Sequence, residues 1–335
     1  MNPNRKLMPL RRREVPLTTW SRRITRAYGR SFYFASRILP HHVRQDAYDL
    51  YTLCRLIDDL TDEGSDGRGS QASLHLVAFL FADDLLAQSL PPALEIAVAP
   101  IWMRLTAAAR LVPTAVPFAP FAQHLRETVH RCGIKEKELR DLLQGQIDDE
   151  HFVQPQTWDD FYRYCYRVAG VVGHMMAHVF GARPDSRTLL AAEHLGIAMQ
   201  ITNILRDITE DHSLRGRIYL PRQLGEQLGI VVTCPQDILA HPHPGLQFVR
   251  HLAQRGVSYY ASGLAGVEGI PSWRGRLCAR LMAAIYGAIL ARIERNPEEA
   301  LHVRIVTSTA AKVWITMKVL LGRQPLQAAG FREQA

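Results

Sequence analysis

The stretch Leu53–Gly64, LCRLIDDLTDEG, ends an apolar run with four carboxylates in six positions and then a glycine. Its apolar residues recur at helical spacing, so the carboxylates fall at the C-terminal end of a helix, where unpaired carbonyls already supply about half a negative charge. Each carboxylate placed there costs about 0.3–1 kcal/mol. A positive partner is needed to offset that cost. The pattern returns in residues 200–221, QITNILRDITEDHSLRGRIYLP, where Asp207, Glu210 and Asp211 follow a second apolar stretch.

Within a helix, Asp58 and Asp62 share a face, with Cβ atoms about 5–6 Å apart, and Asp207 and Asp211 repeat that spacing. Magnesium takes one or two carboxylates plus phosphate oxygens and keeps several waters, so each pair suits one side of a phosphate-bridged metal cluster. Asn203, one turn before Asp207, adds a neutral oxygen. Arg55 lies one turn before Asp58 and Arg206 abuts Asp207; each is placed to hold a carboxylate or to contact phosphate bidentately. Solvated helix ends with intrahelical ion pairs account for either cluster taken singly. Their duplication favours the metal and phosphate reading.

The rest of the chain narrows the alternatives. With 335 residues, 47% of them hydrophobic, it can bury a large core. No apolar run approaches the roughly 18–20 residues that span a bilayer, and the expectation is a cytoplasmic protein. Five scattered cysteines form no C-x-x-C pair, and no H-E-x-x-H spacing offers a zinc cage. Nucleotide-binding glycine motifs and a G-x-S-x-G turn are both missing from the sequence. Residues 1–30 hold nine Lys or Arg against Glu14, leaving 31 basic and 31 acidic residues elsewhere. That neutral body argues against nucleic acid as a partner.

Apolar residues recur at three and four positions almost throughout, which predicts an all-α chain with helices over 41–62, 72–89, 93–110, 119–131, 135–148, 158–181, 185–211, 245–266, 274–295 and 308–321. Proline- and glycine-rich stretches separate them as breakers. In residues 161–181, FYRYCYRVAGVVGHMMAHVFG, the spacing puts Tyr164, Val168, Val171/Val172 and Met175 on one face, as core or as a pocket wall, and Gly170 and Gly173 permit close backbone approach. The expected organisation is a basic arm (1–16), one catalytic domain (17–322) and a tail (323–335).

Taken together, YTLCRLIDDLTDE (51–63), YCYRVAGVVG (164–173) and LGIAMQITNILRDITEDHSLRGRIYLP (195–221) resemble the squalene and phytoene synthase family of head-to-head prenyl synthases. GRSFYFASRILP (29–40) and ARLMAAIYGAILARIERN (279–296) extend the resemblance over roughly residues 28–312, and YCYRVAGVVGHMM and RGRIYLP are most similar to its phytoene-forming branch. The resemblance implies an isoprenoid synthase fold with two Asp-rich helices facing across an apolar cavity. It implies the joining of two geranylgeranyl diphosphates through a cyclopropylcarbinyl diphosphate, for carotenoid synthesis, with Mg2+ or Mn2+ and no nicotinamide. By the same resemblance Asp58, Asp62, Asn203, Asp207 and Asp211 serve the metals, with Asp59 nearby. Arg55, Arg206, Arg304 and Tyr286 hold diphosphate, Ser31 and Phe32 lie in a flap, and Tyr51, Tyr164 and Gln200 line the reacting centre. Diphosphate or Tyr164 takes the final proton.

Farnesyl diphosphate, giving squalene, dehydrosqualene or presqualene diphosphate, is the alternative substrate, and a catalytically dead assembly factor is the alternative of a different class. Two departures from the family pattern stand out: Pro155 replaces a common aromatic residue, and PEEAL (297–301) adds one residue before Arg304. Finally, Leu17, Trp20, Ile24 and Ala27/Tyr28 fall opposite Arg22, Arg23, Arg26 and Arg30. This is the pattern of a helix lying on an anionic membrane surface, of a packed first helix, or of a transit segment.

Overall fold

The structure, a computed structural model, describes residues 16–62, 67–82, 89–109, 117–183 and 185–331. Among these residues there are seventeen α-helices and no strand. The long ones are α1 (Leu17–Tyr28), α3 (His41–Asp62), α4 (Arg68–Phe81), α5 (Pro92–Ala108), α6 (Phe118–Cys132), α7 (Glu136–Glu150), α9 (Val171–Val179), α10 (Ser186–Arg215), α13 (Pro242–Ala265), α14 (Trp273–Arg295) and α16 (Thr309–Leu320). Between them lie the shorter α2 (Arg30–Ser36), α8 (Trp158–Cys165), α11 (Arg222–Gln227), α12 (Pro235–Ala240), α15 (Pro297–His302) and α17 (Pro325–Ala329). Helices α5, α12, α13, α15 and α17 each begin with proline at the first or second helical position. There the missing N–H would have had no intrahelical partner. Prolines that look like breakers in the sequence therefore start helices here.

Two apolar clusters form the core. The first is organised around α3 and holds a ring cluster in which Trp102 stacks on Phe121 at 4.6 Å and Trp20 tilts against Trp102 at 5.6 Å. Trp20 and Ile24 are buried in it. The apolar side of α1 is thus covered by protein, which corrects the membrane-surface reading of residues 17–30; the basic residues 1–15 lie outside the described part. The second cluster surrounds α10, whose Ile201, Leu205 and Ile208 pack with α13 and α14. Residues 325–329, expected as tail, form α17 and bury Ala328 and Ala329 against α14. No helix among the described residues is long and apolar enough to cross a membrane.

Two helix C-termini differ from expectation by a turn or more. Helix α4 stops at Phe81, and residues 83–88 of the expected helix lie outside the described residues. Helix α10 continues to Arg215, where Gly216 adopts φ 65° and closes the C-terminus. Asp207 and Asp211 consequently precede the last turn, so the electrostatic cost of the second cluster comes from burial and mutual repulsion more than from the helix dipole.

The 158–181 segment is interrupted by a π-helical turn, Tyr166–Gly170, between α8 and α9. The wider turn shifts the register by about one residue. Val172 and Met176 therefore line the cavity, while the expected Val171 and Met175 are fully buried in the core. The π turn and α9 cross α10 at almost backbone contact: a Cβ on Gly173 would meet the Ala192 carbonyl oxygen at 2.1 Å, and one on Gly196 would meet that of Ala169 at 2.2 Å. Gly173→Ala and Gly196→Ala are each expected to destabilise the chain by about 1–3 kcal/mol or more, because backbone has to move. Gly170→Ala, whose Cβ meets only side chains (Glu193 at 3.1 Å, Tyr166 at 3.3 Å and Ile197 at 3.4 Å), should cost less. Thermal melts of the three variants check the order.

Candidate active site

Helix α10 is the rail on which the site is built. Thr188, Ala192, Gly196, Gln200, Asn203, Asp207 and Asp211 recur at three- or four-residue spacing and line one cavity of about 560 Å³. The rise from Thr188 to Asp211 is about 35 Å at 1.5 Å per residue. The cavity is apolar at one end, with Phe180, Val267 and Ile270, and carries its carboxylates at the other.

Across from α10, α3 contributes Tyr51, Arg55 and Asp58 to the wall. Arg55 lies 3.4 Å from Asp58, pairs closely with Asp59, and stands over the Tyr28 ring at 5.0 Å. Burial raises the Asp58 carboxyl to about 6 against the opposing pull of Arg55, and Asp62 and Asp59 push it the same way. Asp59 is turned into the protein, only 2% exposed, between Arg55 and Arg104, which approaches from α5 at 3.4 Å. It does not line the cavity, which corrects its expected place among the metal-facing carboxylates. Asp62 closes the gap between helices by pairing with Arg215 of α10 at 2.9 Å.

On α10, Arg206 folds over its neighbour Asp207, with Nε 2.9 Å from Oδ1 and Nη2 on Oδ2. Arg304 arrives from the α15–α16 connection and reaches Asp207 at 3.2 Å and Glu210 at 2.9 Å. The extra residue in PEEAL is absorbed by α15, so the arginine is brought to the carboxylates. Tyr286 of α14 is half-buried beside Arg206 and Asp207. Asn203 Nδ2 donates to Gln200 Oε1 at 3.4 Å. Asp211 is pushed up to about 6, first by burial and then by Asp207, with Arg215 opposing.

A third group of polar side chains faces the same space; of its members only Tyr164 is among the site residues expected from sequence, and Asp149, Arg217 and Tyr219 are not. Asp149 of α7 accepts from the Tyr164 hydroxyl at 3.3 Å and from the Tyr219 hydroxyl at 3.1 Å, on the same oxygen. Arg217 donates to the Asp149 carbonyl at 2.6 Å, and its Nη1 stands 3.6 Å from the carboxylate. The Tyr164 and Tyr219 rings stack at 4.8 Å. Burial raises Asp149 to about 6, partly opposed by Arg217 and the tyrosine hydroxyls, and burial lifts Tyr164 well above the ordinary phenol range. The available signal was the R-x-Y of residues 217–219, because alternate residues of an extended segment point the same way.

Of the expected residues, Phe32, Tyr51, Arg55, Asp58, Tyr164, Gln200, Asn203, Arg206, Asp207, Asp211 and Tyr286 line the one cavity. Phe32 stacks on Tyr51 at 5.6 Å. Ser31 on α2, Asp62 and Arg304 lie outside that wall, the last two tied to it through Arg215 and Asp207. Among the described residues, no three His, Cys, Asp or Glu side chains converge closely enough to hold a metal by themselves. The donors at the polar end are hard oxygens on facing helices, and Asp58 and Asp211 sit where burial penalises their charge. That donor set fits magnesium or manganese completed by phosphate oxygens, and does not fit zinc.

Comparison with known proteins agrees with this architecture. The sequence profile of the family described as squalene/phytoene synthase matches residues 25–311. The 15-cis-phytoene synthase of a Paracoccus species is 35% identical over 289 residues, covering 85% of this chain and 84% of the relative. The presqualene diphosphate synthase of Zymomonas mobilis is 31% identical over 308 residues, covering 88% and 91%. A solved dehydrosqualene synthase superposes with a TM-score of 0.68 at 25% identity, covering 91% of this chain and 95% of that one. An all-α cavity of the isoprenoid synthase type, the two Asp-bearing helices that border it and a profile match over most of the length lead to one conclusion: the chain belongs to the squalene/phytoene synthase family.

Proposed function

We propose that this prenyltransferase is a phytoene synthase, joining two geranylgeranyl diphosphates head to head with release of diphosphate. The observation that carries the reading is the reach of the cavity lining along α10, whose residues from Asp211 to Thr188 span a helical rise of about 35 Å. An extended chain advances about 1.2 Å per bond, taking three backbone bonds per 3.3–3.6 Å residue, so a twenty-carbon prenyl tail reaches roughly 20 Å. A diphosphate at the carboxylate end thus leaves its tail wholly within the apolar part. The Paracoccus relative's activity supports the same substrate class.

Asp58 and Asp62 on α3, with Asn203, Asp207 and Asp211 on α10, are the residues that would hold magnesium. The metal, when bound, would neutralise a departing diphosphate. Arg55, Arg206 and Arg304 offer guanidinium forks to the same group, exchanging their carboxylate partners for phosphate. The wall formed by Phe32, Val168, Val172 and Met176 keeps water from a carbocation. Tyr164 stays neutral, so it serves as proton acceptor by passing its own hydroxyl proton to Asp149 Oδ2 as it takes one from the substrate.

Asp58→Asn and Asp207→Asn should each lower turnover by at least about a hundredfold while the helical content stays unchanged. Product formed at the unaltered rate in either variant would overturn the assignment of the two clusters. Chelation with EDTA should abolish turnover, and added Mg2+ should restore it without any nicotinamide. Product mass from the fifteen- and twenty-carbon diphosphates discriminates the substrates; a product made only from farnesyl diphosphate would replace this reading with that of the Zymomonas relative.

Asp58, Asp149 and Asp211 titrate higher in the folded chain than ordinary carboxyls do. Their contribution to metal-free stability is present in acid and is lost as pH rises through about 6. The metal-free Asp58→Asn variant should therefore melt above the wild type at pH 7, with the difference vanishing by about pH 4. Melting curves across that range, with and without Mg2+, test the sign. For the proton relay, Tyr164→Phe and Asp149→Asn should let the cyclopropylcarbinyl diphosphate accumulate; unchanged product ratios in both would rule the relay out.

A further inference from the structure

Helix α16 is apolar on two sides. Ile315 and Val319 are 5% and 9% exposed where the helix packs on α14 and α17, and Lys312 is buried on the same side. The other side carries Val313, Trp314, Met317, Leu320 and Leu321, between 46% and 81% exposed. At 100° per residue these five fall within an arc of about 120°, a continuous stripe rather than scattered surface residues. Nothing described of this chain covers it.

The chemistry around the stripe selects its partner. Between Glu299 and Glu333 the sequence has no Asp or Glu, yet it contains Arg304, Lys312, Lys318 and Arg323. The Lys318 ammonium lies over the Trp314 ring, 5.6 Å from its centroid. An indole capped by a lysine ammonium, in a segment without acids, is a composition that favours the boundary between acyl chains and anionic headgroups. Position agrees with composition. Arg304, which grips Asp207 and Glu210, is five residues before α16, and Arg30, at the start of the helix that bears Ser31 and Phe32, is near enough to disfavour the Lys312 charge.

We propose that the bare face of α16 is the surface by which the protein docks on an anionic lipid bilayer, with Trp314, Met317 and Leu320 in the acyl boundary and Lys318 and Arg323 at the headgroup phosphates. The docking role sought in the first helix belongs to α16, beside the carboxylate end of the cavity. The inference deepens the proposed function, since prenyl diphosphates and a hydrocarbon product partition into lipid. Its test measures binding alone, so either reading can fail without the other.

The experiment is sedimentation of the full-length protein with vesicles of phosphatidylcholine and phosphatidylglycerol. The wild type should co-sediment, less so as salt is raised. Trp314→Glu combined with Met317→Glu should lower partitioning at least about tenfold with an unchanged melting curve, since both side chains are exposed. Lys318→Glu should weaken binding to a smaller extent, and removal of residues 1–16 should leave a vesicle-bound fraction that the double substitution abolishes. The Trp314 emission, taken as the difference between wild type and Trp314→Phe, should shift to the blue only when vesicles are added. Three outcomes overturn the proposal. They are equal partitioning of wild type and double variant, a concentration-dependent dimer that the double variant loses and vesicles do not dissociate, and a Trp314 emission already blue without lipid that reddens when residues 1–16 are removed.

Discussion

The structure depends on holding unneutralised negative charge at the head of an apolar cavity. Among the described residues, Asp58, Asp59, Asp62, Asp149, Asp207, Glu210 and Asp211 are met by Arg55, Arg104, Arg206, Arg215, Arg217 and Arg304, one cation short, and the cations are unevenly shared. Asp207 engages two guanidinium groups, and Asp59 is enclosed by two more. Asp58 and Asp211 are left with weaker or opposed partners, and both are pushed toward the neutral form. Burial without full pairing is costly, and here the cost falls on the side chains that face across the cavity. The site is poised for cations that arrive with an anionic substrate.

That tension sets the packing around it. The three Asp-bearing helices α3, α7 and α10 have to be rigid, because carboxylates free to move would relax away from one another. Rigidity comes from the near-contact of Gly173 with Ala192 and of Gly196 with Ala169, from the enclosed Asp59 pair, and from Arg215, which ties α10 to the end of α3. The π turn lies in the same crossing. It turns Tyr164 toward Asp149 while the chain beyond it presents Val172 and Met176 to the cavity.

What was legible in the sequence was local. The i, i+4 spacing of Asp58 with Asp62 and of Asp207 with Asp211 is fixed by helix geometry, and the long helices follow from the apolar period. Partners joined over long separations were not legible. Asp149 gained its meaning from Tyr219 and Arg217, about seventy residues away and on an extended segment whose course no helical period describes. The register shift at Tyr166–Gly170 was hidden because a π turn has the same composition as the helix around it. An amphipathic helix states that one side will be covered but not by what. For α1 the cover is Trp102 and Phe121, whereas α16 shows two apolar sides, of which the described residues of α14 and α17 cover one. Asp59 illustrates the converse: adjacency to Asp58 suggested a shared task, but neighbouring residues of a helix point about 100° apart.

One helix carries both ends of the cavity. The distance from Asp211 to Thr188 is set by hydrogen-bonded helical rise, so the charged end and the apolar end cannot drift relative to each other. Chain-length preference and capacity for ionisation then reside in different residues of the same rail. Exchanging Ala191 or Ala192 for a bulkier residue shortens the space without touching a carboxylate, and changes at Asp207 or Asp211 leave the space intact. In such a scaffold the space available to a tail is a trait that mutation can vary separately from the charge that faces it.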